Sequence, residues 1–161
     1  MIVVSDTTAI SNLIQIGELE LLKALYQEII IPQAVYDELL VLAEFDVPID
    51  EICDQEWIKV REVDSQKVVE MLQARLDRGE AEAIALAIEV KADYLLIDEK
   101  EGRAVAKENQ IEVVGTIGIL INGKKSGFID GIKEKMDELR EIGFWISDAL
   151  YHRIIEIERR M

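Results

Sequence analysis

Two aspartates in matching positions are the first sign of chemistry in this sequence. Asp6 and Asp98 are far apart along the chain, yet each follows a short apolar run, at residues 2–4 and 94–97 respectively. Such runs predict buried strands, and ligands of parallel sheets bind outside the carboxyl ends of the strands. We therefore expect both carboxylates to point into the same crevice.

Three glutamates on predicted helices add to this pair. Glu38 can share part of the apolar helix face that contains Val35 and Leu39. Glu80 and Glu82 lie in the first turn of a later helix, where their spacing turns the two side chains about 200° apart. Only one of them can face a site fully, and we keep both as candidates.

Each of these acids, taken alone, has an ordinary structural explanation. Aspartate often caps a helix, and a glutamate in a first helical turn gains about 0.3–1 kcal/mol from the helix dipole. A glutamate on an exposed face is a solvated charge. The convergence of several acids on one sheet edge instead favours a metal site. The candidate catalytic residues are Asp6, Glu38, Glu80, Glu82 and Asp98, and the candidate metal ligands among them are Asp6, Glu38, Glu82 and Asp98.

The absence of histidine and cysteine near these acids indicates which metal they would bind. Hard oxygen ligands suit Mg²⁺ or Mn²⁺ rather than Zn²⁺. Such an ion can lower the pKa of a bound water, orient it against a phosphodiester and offset charge on the leaving oxygen. The single histidine of the sequence, His152, falls in a terminal amphipathic helix, where we expect a structural or surface role.

Cations and small polar residues accompany the acids. Lys100, Arg103 and Lys107 recur at helical spacing and can grip a substrate backbone from one side of a helix beside the site. A solvated face is the competing interpretation, because glutamates are interleaved with them. Thr8 is a further candidate for substrate binding. The hydroxyl and amide residues near Asp6 can orient a carboxylate or phosphate and are also ordinary in helix caps: Ser5, Thr7, Thr8, Ser11 and Asn12.

Strands and helices that alternate along the chain must position these residues. The apolar runs that predict strands are residues 2–4, 29–31, 57–60, 94–97 and 111–114, with helical periodicity between them. This alternation predicts right-handed βαβ units and an α/β fold in which helices cover both faces of a mainly parallel, twisted sheet. Residues 57–60 alternate as an edge strand does.

The length of 161 residues predicts one domain. We expect an α/β core over residues 1–125 and a helical extension over residues 126–161, hinged near Gly143. Residues 46–55 predict a loop, which contains the only cysteine, Cys53. A lone cysteine, no apolar stretch of the roughly 18 residues that span a bilayer, and no basic leader predict a soluble cytoplasmic protein without membrane association.

The net charge of −15 restricts the function further. Non-specific affinity for nucleic acid normally depends on lysine and arginine, so a nucleic-acid coat protein is disfavoured. An enzyme that meets phosphates through bound cations escapes this objection, because the metal supplies the positive charge.

Four segments, in order and spacing, resemble the PIN-domain family, and more narrowly its small prokaryotic members related to VapC toxins. IVVSDTT at residues 2–8 resembles the opening strand with the first catalytic aspartate, and IIPQAVYDEL at residues 30–39 resembles the second motif with Glu38. GEAEAIALA at residues 79–87 and LLIDE at residues 95–99 resemble the segments that carry the third and fourth acids. The segment GTIG at residues 115–118 also resembles the next segment of that branch.

The resemblance implies a three-layer αβα PIN fold and Mg²⁺- or Mn²⁺-dependent hydrolysis of RNA, with an antitoxin protein as a candidate partner and a homodimer as the expected assembly. Two departures from the family pattern stand out. The third acid is a glutamate, with two candidates, where many members have aspartate. Gly115 and Thr116 follow the last strand in place of an acid, which leaves the number of metal ions open.

Other functions fit the sequence less well. A response-regulator receiver needs an acid pair after its first strand and a lysine after its fifth, and a haloacid-dehalogenase-like phosphatase needs a second aspartate where this chain has Thr8. The alternative from another class is a catalytically weak PIN-like protein that binds RNA or a partner without cleaving. Fold alone does not separate it from a nuclease.

Overall fold

A five-stranded parallel sheet forms the centre of the computed structural model, which describes residues 1–45, 47–48, 52 and 55–161. The strands are β1 (Val3–Ser5), β2 (Ile29–Pro32), β3 (Ile58–Arg61), β4 (Tyr94–Leu96) and β5 (Val113–Val114), in the spatial order β3-β2-β1-β4-β5. Every strand pair is parallel. The predicted parallel α/β sheet is therefore confirmed, and β3 is an edge strand as predicted. Most of the predicted loop at residues 46–55, with Cys53, lies outside the described residues.

Helices cover both faces of the sheet. In chain order they are α1 (Thr7–Gln15), α2 (Glu20–Tyr26), α3 (Gln33–Ala43), α4 (Gln66–Leu72), α5 (Arg78–Val90), α6 (Lys100–Glu108), α7 (Thr116–Lys125), α8 (Ile132–Glu141) and α9 (Asp148–Arg159). The break between α1 and α2 falls at Gly17, and the break between α8 and α9 includes Gly143. Both glycines have positive φ angles, of 71° and 93°, which other residues adopt at a cost.

Two separate apolar cores hold the three layers together. Successive strand residues point to opposite faces, so Val3 and Leu96 join one core while Val4 and Leu95 join the other. Helices α1, α2, α3, α7, α8 and α9 contribute to the first core, and α4, α5 and α6 contribute to the second. β1, β2 and β4 are therefore largely buried on both sides, which explains why they read as continuous apolar runs rather than alternating ones.

The last two helices belong to the first core. Ile132, Met136 and Leu139 of α8 and Ile154 of α9 are buried in it. The Glu158 carboxylate accepts a hydrogen bond from the Ile132 amide at 2.7 Å, so the end of α9 caps the start of α8. None of the described helices is long and apolar enough to cross a lipid bilayer.

Candidate active site

Two neighbouring strands bring the two aspartates to one edge of the sheet. β1 and β4 pair in parallel with Ser5 opposite Leu96, and the Asp6 amide donates to the Leu96 carbonyl at 3.0 Å. Asp6 follows β1 directly, and Asp98 follows β4 after one further residue. Both side chains therefore leave the sheet at its carboxyl end, where sequence analysis expects them.

Asp6 is almost wholly buried, with 2% of its surface exposed. It is the N-cap of α1, and its Oδ1 accepts a hydrogen bond from the Ala9 amide at 3.2 Å. Burial raises the pKa of Asp6 well above its ordinary value, although the Ala9 amide lowers it, and the negative charges of Asp98 and Glu80 raise it further. Asp6 is thus both the N-cap of α1 and a member of an acid cluster. The negative charges of the cluster favour the binding of a proton or a cation.

Glu38 reaches the same edge from α3. Its carboxylate accepts a hydrogen bond from the Thr7 hydroxyl and another from the Gly79 amide. Desolvation is the main cause of its raised pKa, and the Thr7 bond opposes it. A Cβ added to Gly79 would lie 2.5 Å from a carboxylate oxygen of Glu38, so α5 can approach this carboxylate only where it carries a glycine.

Glu80 faces the site from the first turn of α5. It forms a capping box with Asp77: the Asp77 Oδ1 accepts from the Glu80 amide at 2.8 Å, and the Glu80 Oε1 accepts from the Asp77 amide at 3.4 Å. Desolvation, together with the side chain and charge of Asp77, raises the pKa of Glu80 to about 7. This carboxyl group therefore titrates near neutral pH.

Glu82 is held by partners from α3 and α5, although its charge also acts on Glu38. Only 2% of its surface is exposed, and both of its oxygens have partners. Its Oε1 accepts from the Ala34 amide at 3.1 Å, at the start of α3, and its Oε2 accepts from Arg78 Nε at 3.0 Å. Glu82 thus ties α5 to the start of α3. Its assignment as a metal ligand stays a prediction, and Glu80 is the alternative.

The carboxylates open into one cavity of about 210 Å³. Every charged residue that lines it is acidic. The lining residues are Asp6, Thr7, Thr8, Glu38, Asp77, Glu80 and Glu99. We refer to this space as the acid cavity.

Asp98 lies beside the acid cavity and is held by the start of α7. Its Oδ1 accepts from the Thr116 amide at 2.7 Å, and its Oδ2 accepts from the Thr116 hydroxyl at 2.6 Å. Asn12 donates to both Asp98 and Thr116, at 3.5 and 3.4 Å. The family resemblance predicts an acid at this point of the chain, after the last strand. Thr116 stands there instead and orients the carboxylate of Asp98.

The three cationic residues of α6 line two different cavities. Lys100 lines a cavity that contains Asp98, whereas Arg103 and Lys107 line another beside β5. On a different side of α6, Arg75 forms ion pairs with Glu101 and Glu108 at 2.5 and 2.7 Å. Two of the interleaved glutamates are therefore already paired away from the cations, although the three cations do not form one continuous surface.

The donor set suits a hard divalent cation, because it consists of carboxylate oxygens with raised pKa values in an acidic cavity. Among the described residues, however, no group of three or more His, Cys, Asp or Glu side chains stands arranged to hold a metal ion. Asp6, Glu38 and Glu80 thus share one cavity without forming a ready-made ligand group among the described residues.

Several contributors to the site escape sequence analysis. The Asp77 cap can be read locally, because an aspartate precedes a glutamate by three positions at a helix start. Thr116 and Gly79 carry no local signal, because their partners, Asp98 and Glu38, lie 18 and 41 positions away along the chain.

Comparison with known proteins agrees with this geometry. A family model described as a PIN domain matches residues 2–159. The fold is similar to that of a PilT N-terminus domain protein from the hyperthermophilic archaeon Sulfolobus solfataricus, with a TM-score of 0.55 and 21% sequence identity, over 75% of this chain and 92% of that chain. At this identity the likeness concerns the fold alone. None of the curated proteins compared with the chain matches it.

Proposed function

We propose that this chain, which belongs to the PIN-domain family, is a metal-dependent endoribonuclease. The family is of the nuclease type, which supports hydrolysis of a phosphodiester bond. RNA as the substrate and Mg²⁺ or Mn²⁺ as the cofactor are the finer parts of the proposal. They rest on the acid cavity and on the resemblance of the four acid-bearing segments.

The observation that carries the proposal is the grouping of Asp6, Glu38 and Glu80 around one acidic cavity. All three carboxyl groups have raised pKa values, with burial as the largest cause. Acids that serve only as surface charges or helix caps do not need to face one another. A cation bound among them would offset both their desolvation and their mutual repulsion.

The residues of the chain have separate tasks in this mechanism. A Mg²⁺ or Mn²⁺ ion held by Asp6, Glu38 and Glu80 would supply a water of lowered pKa and positive charge beside the leaving oxygen. The Ala9 amide fixes the orientation of Asp6, and the Thr7 hydroxyl fixes that of Glu38. These two hydrogen bonds restrict the side chains of Asp6 and Glu38 before substrate arrives.

The position of Asp98 gives it a supporting or a second-ion role. Thr116 donates hydrogen bonds to both carboxylate oxygens of Asp98. The negative charge of Asp98 raises the pKa of Asp6. We propose that it completes the negative field that holds the ion.

A cleavage assay tests the proposal. Purified protein is incubated with a panel of single-stranded and structured RNAs in Mn²⁺, in Mg²⁺ and in EDTA. We expect cleavage only with a divalent ion. Asp6→Asn should lose at least about 100-fold, because it removes a proposed ligand, and Asp98→Asn about 10- to 100-fold, because it removes a supporting carboxylate. Asp37→Asn is the matched control, since it removes one negative charge from an exposed position next to Glu38.

Undiminished cleavage in both aspartate variants would overturn the assignment of the site. Binding of RNA without cleavage under every metal condition would favour the alternative, a PIN-like module that binds RNA or a partner protein.

The toxin role, the antitoxin partner and the homodimer are proposed on the resemblance alone. Expression that arrests bacterial growth, relieved by a co-expressed neighbouring gene product, would support the first two. Light scattering on the purified protein measures the assembly state directly.

A further inference from the structure

A second cavity, of about 490 Å³, adjoins the acid cavity. The two share Thr8 and Glu99 in their walls. Lys100 and Trp145 also line this second cavity. Trp145 belongs to the turn between α8 and α9. The helical extension thus contributes an aromatic side chain to the surroundings of the carboxylates. We refer to this space as the tryptophan cavity.

Trp145 is the most exposed of the large apolar side chains that the structure describes, with 82% of its surface accessible. Its neighbours in sequence behave in the opposite way: Ile146 is 5% exposed, and Phe144 packs against the first core. A single exposed apolar residue needs no explanation by itself. This one, however, forms part of the wall of a cavity that shares Thr8 and Glu99 with the acid cavity.

The turn that carries Trp145 is held firmly. Arg140 donates to the Ile146 carbonyl at 2.7 Å and to Asp148 at 3.3 Å, and its guanidinium lies 4.2 Å from the centre of the Tyr151 ring. These contacts join α8 to α9 on either side of the turn. Trp145 is therefore presented to solvent by a braced backbone, and little ordering would be required when a ligand binds.

The charge of the protein restricts what this cavity can bind. A net charge of −15, together with Asp98 and Glu99 in its wall, repels an acidic ligand that relies on phosphate contacts. A nucleobase is neutral, and it can stack on an exposed indole ring. Lys100 can meet the phosphate attached to that base. Lys100 and Trp145 line the same cavity as Asp98, so contacts to a base and to its phosphate can occur within one space.

We propose that Trp145 is a stacking platform for an unpaired nucleotide of the RNA, next to the scissile phosphodiester. This inference rests on the proposed function and adds a positioning residue to it, a side chain that holds one unpaired nucleotide of the RNA. A base inside a duplex is already stacked on its neighbours, so only an unpaired or extruded base can occupy the platform.

Fluorescence anisotropy with labelled RNA tests the platform. Binding is measured in the Asp6→Asn background, so that the RNA stays intact, with a single strand and with the same strand annealed into a duplex. We expect Trp145→Ala to weaken binding of the single strand about tenfold and Trp145→Phe to retain most of the affinity. Phe128→Ala, which removes a half-exposed aromatic ring elsewhere in the extension, is the control and should have little effect.

Salt dependence separates the platform from the cation. The ratio of affinities between Trp145→Ala and its parent should be the same at about 50 and 200 mM salt, because stacking releases no counterions. Lys100→Glu should instead flatten the dependence of log K on log salt by about 0.7. Intrinsic fluorescence adds a measurement that does not depend on the alanine variant: RNA should quench the parent protein and leave Trp145→Phe unquenched, since the remaining Trp57 is 7% exposed.

Unchanged affinity in Trp145→Ala, equal loss for single strand and duplex, or no binding of single-stranded RNA would each overturn the platform. Selective binding of a protein through Trp145 in place of RNA would overturn it as well. Its failure differs from failure of the proposed function: cleavage with normal binding in Trp145→Ala would refute the platform alone. Trp145-dependent binding without cleavage in any metal would refute the nuclease and retain the platform.

Discussion

At the scale of single residues, Glu80 and Glu82 give the sharpest contrast. They are two positions apart in one helix, yet Glu80 lines the acid cavity and Glu82 bonds to the start of α3. We expect Glu80→Gln to abolish metal-dependent cleavage and Glu82→Gln to retain most of it, because a glutamine at position 82 still offers an oxygen to the Ala34 amide. Initial rates at saturating Mn²⁺ provide the comparison.

Stability should show the reverse order. Glu82→Ala leaves the buried Ala34 amide without an acceptor, so we expect it to lower the free energy of unfolding by about 1–3 kcal/mol. Denaturant unfolding measures this value. A Glu82→Gln variant that is inactive yet fully stable would support Glu82 as a metal ligand.

The raised pKa of Glu80 predicts a pH dependence. Its folded value of about 7 exceeds its ordinary value of 4.5, so the folded protein holds the proton more tightly than the unfolded chain does. The resulting stabilisation is fully present below pH 4.5 and is lost as the pH rises through about 7. In EDTA, the melting temperature of the wild type should therefore fall relative to that of Glu80→Gln across this interval. A difference that does not change with pH would show that Glu80 is not perturbed.

At the scale of elements, the contact between α3 and α5 controls the position of Glu38. We expect Gly79→Ala to keep the melting temperature within a few degrees of wild type, because alanine favours the helix and the group that it displaces is the flexible end of a side chain. Cleavage should nevertheless fall sharply, since the added Cβ would lie 2.5 Å from the Glu38 carboxylate in its present position. Activity and thermal unfolding of the same preparation test both halves. Retained activity would mean that Glu38 can serve from another position.

The elements also explain which parts of the site can be predicted from sequence. The strands are short, buried and followed by acids, so the positions of Asp6 and Asp98 at one sheet edge follow from the apolar pattern. The choice between Glu80 and Glu82 does not, because it depends on where α3 begins in space. The position of Trp145 near Asp98 cannot be predicted from the sequence either, because it arises from the packing of α8 and α9 on the first core.

At the scale of the whole molecule, we expect metal binding in the acid cavity to raise the stability of the folded protein. Mn²⁺ that binds only the folded state should stabilise the wild type by about 2.7 kcal/mol at one hundred times its dissociation constant, and it should stabilise Asp6→Asn less. In EDTA the variant should be at least as stable as the wild type, because asparagine caps α1 as well as aspartate does and carries no charge. Thermal unfolding with and without Mn²⁺ measures both.

A different result has a clear meaning. If Asp6→Asn melts far below the wild type without metal, Asp6 acts mainly as the cap of α1, and the acid cluster loses its central member.

The close approach of Gly79 to Glu38 has a consequence for how this protein changes over generations. Every missense change at a glycine codon adds a side chain, and here the added Cβ would lie 2.5 Å from the Glu38 carboxylate. On the proposed function, the smallest such change, Gly79→Ala, should remove activity while abundance is unaffected, so selection on folding alone would not eliminate it. Lineages that keep this domain as an inactive binding module can arise in a single step. Once position 79 has changed, the acid at position 38 is free to drift, so the two positions should be retained or lost together among descendants.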